Sequence, residues 1–224
     1  MKFLLPIVSL FVLAIVDHSL AQDIKFNRVV GSSGISLGKI NSVVQDKYGF
    51  LWLSDQDRRC IVRFDGKNMV RFEKELRNPN SLGGTYPKCL ATDSLGNIWI
   101  GFYEMGLDRF DPATETFTHF RYDPDDPSSL SSDSVSAVHI DHLGNVWVGT
   151  DYGLDLLDQK AGKFKHYRHD EADPTSLSYD LIRAIYEDKA GTLWVGTGGG
   201  LNRFIETLTT SPGLLAIHRI LMPL

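Results

Sequence analysis

Short runs of alternating apolar and polar residues recur along the chain. Two examples are SVSAVHID at 134–141 and LIRAIYED at 181–188, which have the two-residue period of a β-strand. An Asp-x-x-Gly segment closes or follows each run. It suits a tight hairpin because Asp can hydrogen-bond its own backbone and Gly accepts a positive φ. The pattern therefore predicts short strands joined in hairpins, with no helix between them.

The strand after each turn is apolar on both faces, as in NVWVGT at 145–150, which predicts a sheet that is covered on both sides. A glycine two residues after the tryptophan lies on the same face and would let a neighbouring backbone approach closely. This glycine is Gly101, Gly149 or Gly196, and the first unit has Ser54 instead. Two further short strands follow in each unit, such as GLDRF at 106–110 and TFTHFRYD at 116–123.

The whole pattern recurs four times, and all four tryptophans of the chain belong to it. Trp52, Trp99, Trp147 and Trp194 are 47, 48 and 47 residues apart. The turn residues that recur with them are Asp46, Gly49, Asp93, Gly96, Asp141, Gly144, Asp188 and Gly191. A connector, DPTSL at 173–177 in its clearest form, keeps the same period. The repeat therefore contains four strands and one connector.

Four short strands in a unit of about 47 residues match the blades of a β-propeller, which run from about 40 to 50 residues. We expect each tryptophan to pack where two blades meet. A stacked solenoid is the alternative architecture, although its units are usually shorter. The prediction is an all-β propeller of four-stranded blades, with three complete blades and the inner three strands of a fourth. About three and a half blades would form an incomplete ring.

Both ends of the chain depart from the repeat. Residues 1–21 combine Lys2, an apolar run and small residues before a cut after Ala21, which predicts a secretory signal peptide. A membrane anchor is the alternative, but a span needs about 20 apolar residues. Propeller repeats then occupy 22–204. The fourth strand of the last unit is expected near Ser211, yet 205–224 lacks its alternation, so this segment is predicted to be an out-of-register tail.

Composition narrows the function classes. With 42% hydrophobic residues and a net charge of −5, the 224-residue chain has enough material for a core and no basic excess for nucleic acid. No second apolar stretch is long enough to cross a membrane. The two cysteines, Cys60 and Cys89, occupy unrelated places in their repeats. Free thiols in the core are favoured over one disulfide, and their spacing suggests no metal site.

The consensus resembles the two-component regulator propeller repeat. It reads Asp-x-x-Gly-x-x-Trp-x-Gly-Thr, then Gly-Leu-x-x-Phe, Phe-x-His-Tyr and Asp-Pro-x-Ser-Leu-Ser, and the third and fourth units follow it almost position by position. The resemblance implies the periplasmic sensor region of a hybrid histidine kinase. In that family an immunoglobulin-like domain, a membrane helix and the kinase follow the propeller, and many members respond to glycan fragments.

The resemblance also sets expectations about what is missing. Family propellers usually have about seven blades, so this chain is expected to be a truncated amino-terminal fragment. An open arc exposes a blade face, which favours association with the rest of a sensor kinase or with another propeller chain. The implied location is the periplasm, and the implied process is signal transduction by phosphorelay.

No segment carries a catalytic signature. His119 and His166 recur at equivalent places, which is typical of packing residues rather than of a single catalytic centre. The acidic run at 123–127 lacks the glycine and distal glutamate of a calcium loop. The segment GTGGGL at 196–201 has neither the third glycine nor the helix of a phosphate-binding loop. We therefore expect no catalytic residue, no metal and no cofactor.

Two functional hypotheses remain. The first is a non-enzymatic ligand-sensing or interaction module, for which the family resemblance implies a small glycan as the ligand. The second is a secreted propeller enzyme such as a lyase or a glycan-active protein, because some propellers host a catalytic site near the axis. If the first holds, ligand contacts are expected where loops converge at one end of the disc, with Asp55, Tyr103 and Tyr152 as candidates.

Overall fold

The computed structural model describes residues 25, 27–29, 34–205 and 216–219. Sixteen short strands form four antiparallel sheets, and the described residues contain no helix. Accordingly, no described segment is a helix long and apolar enough to cross a bilayer. The predicted signal peptide lies outside the described residues.

Each sheet is one blade whose four strands are hydrogen-bonded in chain order. Blade 1 consists of β1 (Ile40–Gln45), β2 (Leu51–Asp55), β3 (Cys60–Phe64) and β4 (Met69–Glu73). Blade 2 consists of β5 (Pro87–Thr92), β6 (Ile98–Phe102), β7 (Leu107–Asp111) and β8 (Thr116–Phe120). Blade 3 consists of β9 (Val135–Ile140), β10 (Val146–Thr150), β11 (Gly153–Asp158) and β12 (Lys163–Tyr167). Blade 4 consists of β13 (Ile182–Glu187), β14 (Leu193–Thr197), β15 (Gly200–Ile205) and β16 (Ala216–Arg219).

The first strands of successive blades, β1, β5, β9 and β13, contact one another in that order and form the inner edge of the arc. The predicted all-β arc of four-stranded blades is therefore confirmed. We call the interfaces between blades 1 and 2, 2 and 3, and 3 and 4 the first, second and third junctions.

One expectation is corrected in blade 4. The sequence predicted only three strands there, but β16 pairs with β15 through Asn202 to Ile205. Ten residues separate β15 from β16, whereas four residues separate the third and fourth strands of each other blade. The repeat period predicts the outer strand near Ser211. The strand begins later, at Ala216. The period was broken by a longer connection and not by the loss of the strand.

The Asp-x-x-Gly turns form as predicted, with glycine φ angles of 91°, 90°, 85° and 79° at Gly49, Gly96, Gly144 and Gly191. The turns also bind the tryptophans. In blade 1 the Asp46 carboxylate accepts hydrogen bonds from the Tyr48 and Phe50 amides and, at 2.8 Å, from the Trp52 indole N–H. The other three turns make the same indole bond through Asp93, Asp141 and Asp188. This bond explains the fixed spacing of six residues between Asp and Trp.

The core is divided among the junctions. Trp52 packs on Phe72 of its own blade and on Phe110 of blade 2, with ring centroids 5.4 and 5.2 Å apart. In the third junction, Trp147 contacts Tyr167 and Phe204 at 5.9 and 4.9 Å. Each of these tryptophans therefore lies between its own outer strand and the next blade, as expected.

The glycines after the tryptophans make room for the next blade at the second and third junctions. A Cβ on Gly101 would lie 2.6 Å from Val135 Cγ1, and one on Gly149 would lie 2.5 Å from Ile182 Cγ2. Gly196 has no such neighbour, because the closest atom to its hypothetical Cβ is Ala184 Cβ at 3.8 Å. A close approach is therefore present at Gly101 and Gly149, but side chains of the next blade make it, whereas the sequence predicted an approach of backbone.

The connectors are fastened by buried acids of the third strands. The Asp155 carboxylate accepts the Ser131 amide at 2.8 Å and the His166 Nδ1 proton at 2.7 Å, while His166 Nε2 faces the Pro127 carbonyl at 3.0 Å. In blade 2, Asp108, His119 and Pro79 repeat this arrangement. We call each set a histidine clasp. It confirms that His119 and His166 belong to the repeated architecture.

Candidate functional site

One groove gathers polar and aromatic side chains from the inner strands of blades 1 to 3, at the end of the blades where these strands begin. Its volume is about 500 Å³. The side chains that line it are Lys39, Asn41, Ser42, Gln56, Tyr86, Lys88, Cys89, Tyr103 and Ser136. We call this feature the axial groove.

β-Bulges position three of the groove residues. In each inner strand the pairing register skips one residue near the start, namely Asn41, Lys88, Ser136 or Arg183. A bulge leaves the extra residue outside the ladder and changes the direction of its side chain. Asn41, Lys88 and Ser136 line the axial groove. The four blades thus present four different polar residues at one equivalent position.

Hydrogen bonds fix four of the other groove residues. Gln56 follows β2 directly, and its amide donates to the Lys39 carbonyl at 2.9 Å. Tyr103 follows β6, and its amide donates to the Tyr86 carbonyl at 3.1 Å. The Asn41 side-chain amide donates to Gln56 Oε1 at 3.1 Å, which joins two walls of the groove.

The axial groove offers aromatic rings, ammonium groups and amides to a ligand. Tyr86 and Tyr103 are 38% and 52% exposed, so their rings are accessible to a ligand. Two lysines and two planar amides supply hydrogen-bond donors and acceptors beside them. Burial raises the pKa of the Cys89 thiol to about 12, which favours its protonated form. Cys60 is free as well, and burial raises its pKa to about 11.

No candidate metal site is found in the described residues. Among the residues that the structure describes, no group of three or more His, Cys, Asp or Glu side chains is arranged to hold a metal ion.

The three ligand contacts predicted from the sequence lie in different environments. Tyr103 lines the axial groove. Asp55 is fully buried and accepts the Gly38 and Arg58 amides at 2.8 and 3.0 Å, so it holds the loop that carries Gln56. Tyr152 is 61% exposed on the turn between β10 and β11 and does not line the groove. The structure therefore brings only one of the three into the groove.

Sequence reasoning missed the other groove residues. Lys39, Asn41, Tyr86 and Lys88 lie in segments that read as ordinary strand starts. The available signal was the break in the two-residue alternation at these starts, which marks a bulge. Without the pairing register, such a break could not be distinguished from a loop.

Two of the four repeats match the model of a known repeat family. Residues 129–152 and 176–199 match the family model described as two component regulator propeller. These two segments cover the turn and the tryptophan strand of units three and four. No match was found among curated proteins.

Solved structures share the propeller fold. The extracellular domain of the hybrid two component system BT3049 from B. thetaiotaomicron is 24% identical, with a TM-score of 0.63 over 84% of this chain. The corresponding domain of BT4673 from the same organism is 20% identical, with a TM-score of 0.61 over 76% of this chain. The chain spans only 32% and 22% of the length of those two solved extracellular domains.

Enzymes of the same fold are also similar. A catalytically inactive virginiamycin B lyase from Staphylococcus aureus is 16% identical, with a TM-score of 0.58 over 84% of this chain and 60% of the lyase. At this level of identity the likeness extends to the fold and brings no activity to this chain.

Proposed function

We propose that the chain is the ligand-sensing propeller of an exported two-component regulator, non-enzymatic in itself, and that it binds a small glycan in the axial groove. The repeat family and the two similar extracellular domains support a sensor role. The predicted signal peptide supports a periplasmic location. The partner that carries the signal onward is proposed to be the rest of a sensor kinase.

The observation that carries the proposal is the convergence of three bulges on one groove. Bulges commonly redirect side chains next to functional sites. Asn41, Lys88 and Ser136 come from three different blades, yet they line one cavity together with Tyr86 and Tyr103. An aromatic ring beside amide and ammonium groups offers an apolar face and hydrogen bonds to the same ligand, as small-molecule sites require.

Titration calorimetry against a panel of neutral and acidic oligosaccharides tests the proposal. A glycan that binds the purified chain should lose about ten-fold or more in affinity on Tyr103→Ala or Lys88→Ala, since each loses contact area or a charged hydrogen bond. Tyr152→Ala is the matched control, because Tyr152 is an equally exposed tyrosine outside the groove. A loss of glycan affinity on Tyr152→Ala alone would contradict the axial groove and indicate a site at the β10–β11 turn.

The location is tested separately. Fusion of alkaline phosphatase after the propeller repeats should give an active enzyme, because that reporter folds only outside the reducing cytoplasm. Deletion of residues 1–21 from the fusion should abolish the activity. An inactive full-length fusion would contradict export.

A further inference from the structure

The third junction contains a cleft at the end of the blades opposite the axial groove. It encloses about 560 Å³ between blades 3 and 4. Residues of both blades line it, among them Asp141, Asn145, Trp147, Leu156, Glu187 and Phe204. We call it the junction cleft.

The third junction lacks the arginine that lies beside the tryptophan in the other two junctions. The residue that pairs with the tryptophan on the third strand is Arg63 in blade 1, Arg109 in blade 2 and Leu156 in blade 3. The Arg63 guanidinium lies 5.8 Å from the Trp52 ring centroid, and the Arg109 guanidinium lies 5.9 Å from that of Trp99. The first two junctions therefore hold a guanidinium against the indole, and the third holds a shorter apolar side chain.

The blade on the other side of the third junction also differs from its counterparts, because it carries an acidic residue there. The last position of the inner strand on the following blade is Thr92 in the first junction and Ile140 in the second. In the third it is Glu187, whose side chain is only 12% exposed. One junction has thus lost the arginine and gained a carboxylate.

Four charged or titratable groups line the cleft. Asp141 is saturated by its turn, since it accepts the amides of Leu143 and Asn145, the Asn145 side chain and the Trp147 indole. Glu187 accepts the His142 amide at 2.8 Å and pairs with the His142 ring. Arg203 continues the arginine series on blade 4, where it pairs with Trp194. Glu187 is therefore the carboxylate that a ligand can contact, in competition with the exposed His142 ring.

We propose that the junction cleft binds a small organic cation, a guanidinium or alkylammonium group, against Trp147 and Glu187. The ligand occupies the place that Arg63 and Arg109 fill in the other junctions. Attraction between a cation and an indole face is strongest when the site is desolvated. Trp147 and Glu187 are only 3% and 12% exposed. The site is separate from the axial groove and is independent of the glycan proposal.

Calorimetry on the purified chain tests the proposal with methylguanidinium as the probe and methylurea as its uncharged analogue of similar shape. Methylguanidinium should bind, and methylurea should bind about ten-fold or more weakly, because it lacks the charge. Equal binding of the two, or no binding of methylguanidinium, would overturn the assignment.

Leu156→Arg supplies the arginine that the other junctions carry, and it should abolish methylguanidinium binding. Leu156→Met is the matched control, because it keeps the apolar volume and leaves the cleft open. Circular dichroism checks that both variants fold. A folded Leu156→Arg variant that binds as the wild type does would refute the proposal.

A second variant keeps the proposal testable if Leu156→Arg fails to fold. His142→Ala removes the exposed ring that competes for Glu187, so methylguanidinium should bind several-fold more tightly. Unchanged or weaker binding to His142→Ala would count against a site at Glu187.

Discussion

The aspartate that opens each repeat serves two functions through one side chain. In blade 2 the Asp93 carboxylate accepts the Leu95 and Asn97 amides, which closes the turn, and also the Trp99 indole N–H at 3.1 Å. Trp99 is fully buried, so its N–H has no access to water. Because an unsatisfied buried donor is costly, the turn and the core depend on the same carboxylate.

Removal of that carboxylate should strongly destabilise the fold. We expect Asp93→Ala to lower the free energy of unfolding by about 2–4 kcal/mol, because a buried indole and two amides lose their acceptor. Urea unfolding followed by circular dichroism measures the change. Asp158→Ala is the control, since Asp158 accepts the Lys160 and Ala161 amides in an exposed turn and no indole bond to it is seen among the described residues. Similar losses in the two variants would contradict a special role for the indole bond.

At the scale of strands and connectors, blades are held together by side chains that fit one another at the inner edge. Ile182 of β13 lies where a side chain on Gly149 would be, and Val135 of β9 does the same at Gly101. The histidine clasps then fix each connector to the blade that follows it. The contact with the next blade therefore decides how costly a substitution is, even between equivalent residues of the repeat.

Two equivalent glycines should respond differently to the same substitution. Gly149→Ala should cost about 1–3 kcal/mol of stability, because the added methyl overlaps Ile182 and the junction must move. Gly196→Ala should be nearly neutral, because among the described residues no atom beyond its chain neighbours lies closer to its Cβ position than 3.8 Å. Thermal unfolding of the two variants measures the difference. A large loss on Gly196→Ala would show that its surroundings differ from those described.

The histidine clasps predict a dependence of stability on pH. Hydrogen bonds to Asp108 and Asp155 raise the pKa values of His119 and His166 above 6.5, since both nitrogens of each ring face acceptors and the charged form is favoured. A raised pKa in the folded state stabilises the fold fully below pH 6.5, and the contribution is lost as the pH rises through the folded-state pKa.

Urea unfolding from mildly acidic to mildly alkaline pH should therefore show a decline in stability on the alkaline side. The double variant His119→Gln, His166→Gln should lose most of that decline, because glutamine does not titrate. An unchanged slope in the double variant would assign the pH dependence to other groups.

At the scale of the whole molecule, the arc ends in an apolar face on blade 4. Tyr186 and Leu201 are 62% and 40% exposed, and with Ala184, Trp194 and Gly196 they line a cleft of about 430 Å³. The equivalent faces of the other three blades are covered by the next blade. In the described residues no strand covers this one, and an exposed apolar patch of this kind favours association.

We expect the purified chain to associate as its concentration rises. Leu201→Asp should weaken this association, because a carboxylate on the face disfavours contact with apolar surfaces. Analytical ultracentrifugation over a range of concentrations measures it. Leu76→Asp is the control, since Leu76 is 97% exposed in a connector away from the blade faces. A chain that stays monomeric throughout would contradict the expectation.

The repeat made much of the fold predictable, because a tryptophan every 47 or 48 residues fixes the blade and its turn. Contacts between repeats could not be predicted in the same way. The axial groove depends on bulges at Asn41, Lys88 and Ser136, which become visible only in the pairing register. The contact between His142 and Glu187 joins residues 45 positions apart, and no local pattern marks it. The outer strand β16 was missed because its connection is longer than the period allows.

The bulge position has a consequence for how such an arc can diversify. Asn, Lys, Ser and Arg all occupy it within this one chain, and all four sheets form around it. The fold thus tolerates a change of size and charge at a place where three of these side chains meet in one groove. A gene for such repeats can therefore explore new recognition surfaces one blade at a time, while the tryptophans and their aspartates preserve the architecture.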